Sequence, residues 1–297
     1  MLILGTLAIF GVLMYEAIGN PALLEESAAF KAAMFTPENN MPILPMLFVT
    51  IACGILSGFH ATQSPIIART MKHEKQARSS FYGMMVVEGV IGMIWAAAGL
   101  AIYNLFPQMM AENPTNVLTE ITTHFLGRGV GAITVISVII LAITSGDTAM
   151  RSMRLSLAEI VGVDQKSIRN RIMLCLPLIA IVSGLLWWSN QSAKTFNQLW
   201  NYFAWGNQVL AAATLSASAV WLYKQGKNGG VALVPAMFMT FIVISYILWI
   251  SPEHGGPVGF GLDLNVSYAI AAILTLILAS LVRRRGTTNR IKLDREK

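Results

Sequence analysis

Apolar residues along the chain gather in eight runs that are separated by polar segments. The runs cover residues 1–15, 43–67, 80–105, 127–146, 170–189, 196–222, 230–250 and 265–282. About 20 residues of α-helix cross the hydrocarbon core of a bilayer, so seven runs are long enough to span it and the first is short. The pattern predicts an all-α, polytopic transmembrane helical bundle with about eight spans. We expect a single membrane domain over residues 1–282 and a basic tail over 283–297.

Composition and charge support this interpretation. Only 12% of the residues are charged and 55% are hydrophobic, whereas a soluble domain carries roughly 25% charged residues. Eighteen of the 21 lysines and arginines fall in the tail and in the loops after the second, fourth and sixth runs. Because basic residues concentrate on the cytoplasmic side, this alternation predicts that both termini are cytoplasmic. The inner segment 151–169 is amphipathic and predicts a helix on the membrane surface.

The second run contains a polar interruption. Residues 57–65 combine small, hydroxyl, amide and imidazole side chains with a proline, and the polar or flexible members are Ser57, Gly58, His60, Thr62, Gln63 and Ser64. Such groups are costly in a bilayer unless they face protein or a water-filled path. Broken helices of this kind supply binding groups in secondary transporters, so the stretch predicts a substrate site. The alternative is a helix kinked at Pro65 whose histidine and glutamine bond to neighbouring helices.

Two acids fall in or at the end of apolar runs. Glu88 lies well inside the third run, where a carboxylate should be paired or protonated. It is our first candidate for proton coupling, and the alternative is a structural hydrogen bond between helices. Asp147 ends the fourth run and is the second candidate. Since Arg151 follows at i+4, an ion pair on one helical face is the alternative for Asp147.

The sixth run begins with a polar stripe. Asn197, Asn201, Ala204 and Gln208 recur at i, i+4, i+7 and i+11 and share one helical face. We expect Asn201 and Gln208 to line the outer part of a transport pathway. The flanking tryptophans alone would indicate only an interfacial belt.

Other chemistries lack a sequence signal. The chain has no phosphate-binding or dinucleotide glycine motif and no Cys/His metal spacing, and its two cysteines, Cys53 and Cys175, both fall in apolar runs. We therefore expect no metal, no cofactor and no nucleic-acid partner. An intramembrane enzyme would need a nucleophile and a base in contact, and Ser57 or Ser64 with His60 is a weak basis for one. We expect the protein not to be an enzyme.

Four segments of the chain carry a resemblance to a known family. They are Ser57-Gly58-Phe59-His60-Ala61-Thr62-Gln63-Ser64-Pro65, Phe81-Tyr82-Gly83-Met84-Met85-Val86-Val87-Glu88-Gly89, Thr144-Ser145-Gly146-Asp147-Thr148-Ala149-Met150-Arg151 and Leu199-Trp200-Asn201-Tyr202-Phe203-Ala204-Trp205-Gly206-Asn207-Gln208. These segments closely resemble the signature sequences of the carbon starvation protein A (CstA) family. Two small departures are Met150 and Gly206, where phenylalanine and alanine are expected.

The resemblance implies a multi-pass secondary transporter of the inner membrane. Such a protein takes up small peptides or pyruvate under carbon starvation, by proton symport, so its partners are a small-molecule substrate, protons and the lipid bilayer. It also implies a fold similar to the amino acid–polyamine superfamily, with broken helices. Family members are longer, and the chain looks like their C-terminal portion. The alternative is a non-transporting membrane subunit or nutrient-sensing component that needs a separate N-terminal half.

Overall fold

The structure, a computed structural model, describes residues 1–25, 42–50, 58–106, 116–252 and 256–295. Within these ranges the chain forms α-helices and short helical turns, with no strand, so the all-α prediction is confirmed. The helices are α1 (Leu2–Gly19), α2 (Ile43–Thr50), α3 (Gly58–Thr70), α4 (Met84–Leu105), α5 (Asn116–Val161), α6 (Ile168–Ser189), α7 (Ala193–Lys224), α8 (Gly230–Trp249) and α9 (Leu264–Arg295).

Six helical stretches in the described part of the chain are long and apolar enough to cross a membrane. They correspond to six of the eight predicted spans and involve α1, α4, α5, α6, α8 and α9. The predicted span 43–67 is represented by α2 and α3, and residues 51–57 between them lie outside the described residues. The predicted span 196–222 lies within α7, whose 32 residues extend over about 48 Å. Its asparagines and glutamines lower its hydropathy below that of the other spans.

The helix α5 is longer than the fourth predicted span. It bends at Gly127, whose φ of 72° lies in the left-handed region that favours glycine. The arm before the bend packs on the arm after it, since a Cβ at Gly131 would lie 2.7 Å from the carbonyl oxygen of Thr122. From Arg128 the helix continues to Val161, so the first part of the predicted surface helix 151–169 is continuous with the span before it.

The chain divides into two compact units. One comprises Met1–Asn39 and Ile66–Leu178. Its core lies among α1, α4 and the first arm of α5, where Trp95 Nε1 donates to Thr6 Oγ1 at 3.0 Å. His124 Nε2 lies 3.4 Å from Glu16 Oε2. The buried core residues are Ile9, Leu13, Leu23, Ala98, Ala101, Ile102, Ile121 and Phe125.

The other unit comprises Asn40–Pro65 and Ile179–Lys297. Here α7, α8 and α9 pack side by side, and α2 packs on α8 and α7. One apolar cluster lies where α2 meets the bundle and contains Val49, Ala204, Ile242, Tyr246, Trp249 and Ile250. A second cluster, formed by Ala219, Ala232 and Val282, joins α7, α8 and α9 farther along the bundle.

Candidate functional site

The first turn of α3 packs directly on α7. A Cβ added at Gly58 would lie 2.4 Å from the carbonyl oxygen of Asn207 and 2.6 Å from Leu210 Cβ, so glycine allows this close approach. The backbone N–H of Phe59 donates to Asn207 Oδ1 at 3.0 Å. A side chain of α7 thus binds the backbone of the first described turn of α3.

The next residue of α7 binds the backbone of α2. Gln208 Nε2 donates to the carbonyl oxygen of Phe48 at 3.0 Å, and the Gln208 side chain is buried, with 2% exposed. The hydroxyl of Tyr268, on α9, also donates to α2, at the carbonyl oxygen of Leu44. Two adjacent amides of α7 thus bind the chain on either side of residues 51–57.

The hydroxyl groups of α3 are used within the helix. Thr62 Oγ1 donates to the Phe59 carbonyl at 2.9 Å, and Ser64 Oγ donates to the His60 carbonyl at 2.6 Å. Because both hydroxyl hydrogens are donated to backbone carbonyls, these groups can bind a ligand only as acceptors. The helix runs through Pro65 to Thr70. Because proline has no N–H, the carbonyl of the residue four positions earlier loses its usual helical donor.

Two buried amide atoms near these helices have no hydrogen-bond partner among the described residues. They are Gln63 Nε2, a donor, and Gln208 Oε1, an acceptor. An unpaired buried polar atom costs about 1–3 kcal/mol, so such atoms are candidates for binding a polar ligand. His60 is half-buried on the same helix.

The stripe on α7 runs from an exposed to a buried environment. Asn197 is exposed, and Asn201 is half-buried and donates through Nδ2 to the Asn197 carbonyl at 2.9 Å. Ala204 and Gln208 are buried. The predicted face therefore exists, and its buried end meets α2.

The two acids lie in the unit that contains Ile66–Leu178, whereas residues 58–65 belong to the other unit. Glu88 is exposed on α4, just after a π-helical turn at Arg78–Gly83. Arg151 Nη2 donates to Asp147 Oδ2 at 3.1 Å, with both side chains more than half exposed. The predicted i, i+4 ion pair is confirmed.

Ser57 lies outside the described residues. Sequence reasoning also missed two residues that bind the chain around the interruption, Asn207 and Tyr268. Asn207 is adjacent to Gln208 in a signature segment, but it lies off the predicted stripe by about 100° around the helix. No periodic signal marks Tyr268, because its partner is a backbone carbonyl distant in sequence.

Comparison with known proteins identifies the family. The profile described as "Carbon starvation protein CstA" matches residues 1–128 and 104–246. An uncharacterized protein of Haemophilus influenzae is 40% identical over 126 residues, which are 42% of this chain and 87% of that protein. Peptide transporter CstA of Escherichia coli K12 is 23% identical over 271 residues, which cover 68% of this chain and 39% of the transporter. The pyruvate/proton symporter BtsT of the same organism is 38% identical over 61 residues, covering 20% and 8% respectively.

No solved structure matches the chain. The chain covers well under two thirds of the length of the named transporters. The family match nevertheless extends over most of the sequence and over every signature segment named above. Together with the apolar helices, it makes the chain a multi-pass membrane protein. This protein belongs to the carbon starvation protein CstA family.

Proposed function

We propose that the chain is a secondary active transporter that takes up small peptides or pyruvate by proton symport, and that it is not an enzyme. The observation that carries the proposal is the pair of contacts around residues 51–57. Asn207 binds the backbone of α3 and Gln208 binds the backbone of α2. Polar side chains and backbone groups that meet inside a membrane bundle are the kind of groups that bind solutes in secondary transporters.

The groups on α3 and α7 suit a substrate with a carboxylate. The Gln63 amide and the His60 imidazole supply donors, and the Thr62 and Ser64 oxygens supply acceptors. Gln208 and Asn201 on α7 would form the outer part of the route. We place the protein in the inner membrane with both termini in the cytoplasm, on the alternation of basic loops.

Glu88 is the proposed proton-coupling residue, and Asp147 is second. Asp147 is paired with Arg151, so its carboxylate already has a partner on its own helix. Glu88 lies inside an apolar span, where a charged side chain is costly and commonly functional.

Uptake into liposomes tests the function and the role of Glu88. With an inward proton gradient, the purified protein should accumulate labelled pyruvate or a labelled dipeptide above the outside concentration. Glu88→Gln should still equilibrate the substrate but should not accumulate it, because the amide cannot carry a proton. Glu159→Gln, which removes an exposed carboxylate at the end of α5, is the matched control and should accumulate normally.

Accumulation by Glu88→Gln would exclude the coupling role. Absence of uptake by the wild-type chain alone, with uptake restored by a second polypeptide, would instead favour the alternative of a membrane subunit.

A further inference from the structure

A groove of about 550 Å³ opens between α8 and α9. Its walls are apolar and include Leu233 and Met237 of α8 and Ala279 of α9. One end of the groove carries Arg283 and Arg284 of α9. The groove is therefore amphipathic, with aliphatic contacts along its length and two cations at one end.

The two arginines are available for a ligand. Both are exposed, and neither forms an ion pair with a carboxylate of any described residue. The nearby Thr287 hydroxyl donates to the Arg283 and Arg284 carbonyls at 2.9 and 3.2 Å. The Thr287 hydroxyl thus donates to backbone carbonyls. The guanidinium groups of Arg283 and Arg284 therefore supply the hydrogen-bond donors at this end of the groove.

The groove lies at the level where a span meets the headgroup region. Residues 264–282 of α9 contain no charged side chain, and Arg283 is the first charge after them. Leu233 and Met237 belong to the first turns of α8, which begins at Gly230. The arginines therefore lie at the membrane boundary, while the walls extend toward the hydrocarbon core.

Close packing holds this end of the bundle in place. A Cβ at Gly286 would lie 2.5 Å from Tyr223 Cβ, and one at Gly229 would lie 2.6 Å from the Tyr223 ring. Tyr223 of α7 thus contacts both the start of α8 and the extension of α9 beyond its apolar part. The groove is preformed, and a ligand need not order it on binding.

We propose that this groove binds an anionic phospholipid, with the phosphate between Arg283 and Arg284 and one acyl chain along Leu233, Met237 and Ala279. Guanidinium groups bind phosphate oxygens through paired hydrogen bonds, and basic pockets between helices at a membrane surface suit anionic headgroups. A free anion would use only the arginines and leave the apolar walls unfilled. This site is independent of the proposed transport activity.

Native mass spectrometry of the full chain in detergent tests the site. Phosphatidylglycerol should bind the wild type more tightly than phosphatidylcholine does. Arg283→Gln and Arg284→Gln should each bind phosphatidylglycerol about five-fold more weakly, and the double variant about twenty-five-fold more weakly. Arg285→Gln is the matched control, because Arg285 is exposed on the same turn but does not line the groove, and it should bind like the wild type.

Equal weakening by Arg285→Gln and by the single variants Arg283→Gln and Arg284→Gln would overturn the proposal, because the effect would then be one of net charge. Inorganic phosphate that displaces phosphatidylglycerol at matched concentration would also overturn it, since the walls would then contribute nothing. In a second arm, Ala279→Leu fills the groove without changing charge. It should weaken phosphatidylglycerol binding while leaving the melting temperature of the lipid-free protein within a few degrees of wild type.

Discussion

Gly58→Ala is expected to separate α3 from α7 and to abolish most uptake. The added methyl would lie 2.4 Å from the backbone oxygen of Asn207, and a backbone atom in a packed helix cannot move aside at low cost. Overpacking of this kind costs about 1–3 kcal/mol. We expect a lower melting temperature in detergent. We also expect an uptake rate of about one tenth of the wild-type rate or below, since a cost of about 1.4 kcal/mol to the packed arrangement of α3 and α7 corresponds to a tenfold effect.

Gly206→Ala is the matched control for Gly58→Ala. It adds the same methyl group one residue before Asn207, where a Cβ would meet no atom within 4 Å. Alanine also favours a helix over glycine by about 1 kcal/mol. We expect normal uptake and unchanged or slightly higher stability. Equal loss of uptake in both variants would show that the contact at Gly58 is not the cause.

Asn207→Ala is expected to lower stability by about 0.5–1.5 kcal/mol, the usual contribution of one hydrogen bond. The variant removes the Oδ1 acceptor of the Phe59 N–H, and the first described turn of α3 should shift. Unfolding in detergent and the uptake rate measure the effect.

Asn201→Ala provides the stability control for Asn207→Ala. The amide of Asn201 bonds to the Asn197 carbonyl of its own helix, so its removal breaks a hydrogen bond within α7 and not one between helices. We expect a change below about 0.5 kcal/mol. A loss of stability in Asn201→Ala as large as in Asn207→Ala would contradict the stabilising role of the bond between Asn207 and Phe59.

The spans could be predicted from the sequence because a bilayer demands continuous apolar helices. The pairing of Asp147 with Arg151 was also predictable, since both residues lie on one helix at fixed spacing. In contrast, the surface helix 151–169 was predicted as a separate element, and α5 passes into it without a break. Apolar periodicity cannot distinguish a helix that ends at the membrane surface from one that continues beyond it.

The contacts around the interruption were only partly predictable. The polar composition of residues 57–65 and the stripe on α7 identified two segments with unusual groups. Tertiary packing decides which residues of the two segments come into contact with other parts of the chain. The bond from Phe59 to Asn207 and the bond from Gln208 to Phe48 join residues 148 and 160 positions apart in the chain, and no local pattern predicts such pairs.

The central claim is that residues 58–65 contact the transported solute. Ser64→Cys tests it most directly, in a chain whose two native cysteines are replaced by alanine. A membrane-impermeant thiol reagent should modify the introduced thiol, and saturating pyruvate or dipeptide should slow that reaction.

Ser167→Cys, at an exposed position between α5 and α6, should react at the same rate with and without substrate. Protection at position 64 but not at position 167 is the predicted result. A transport-competent Ser64→Cys protein whose labelling rate does not change with substrate would contradict the account.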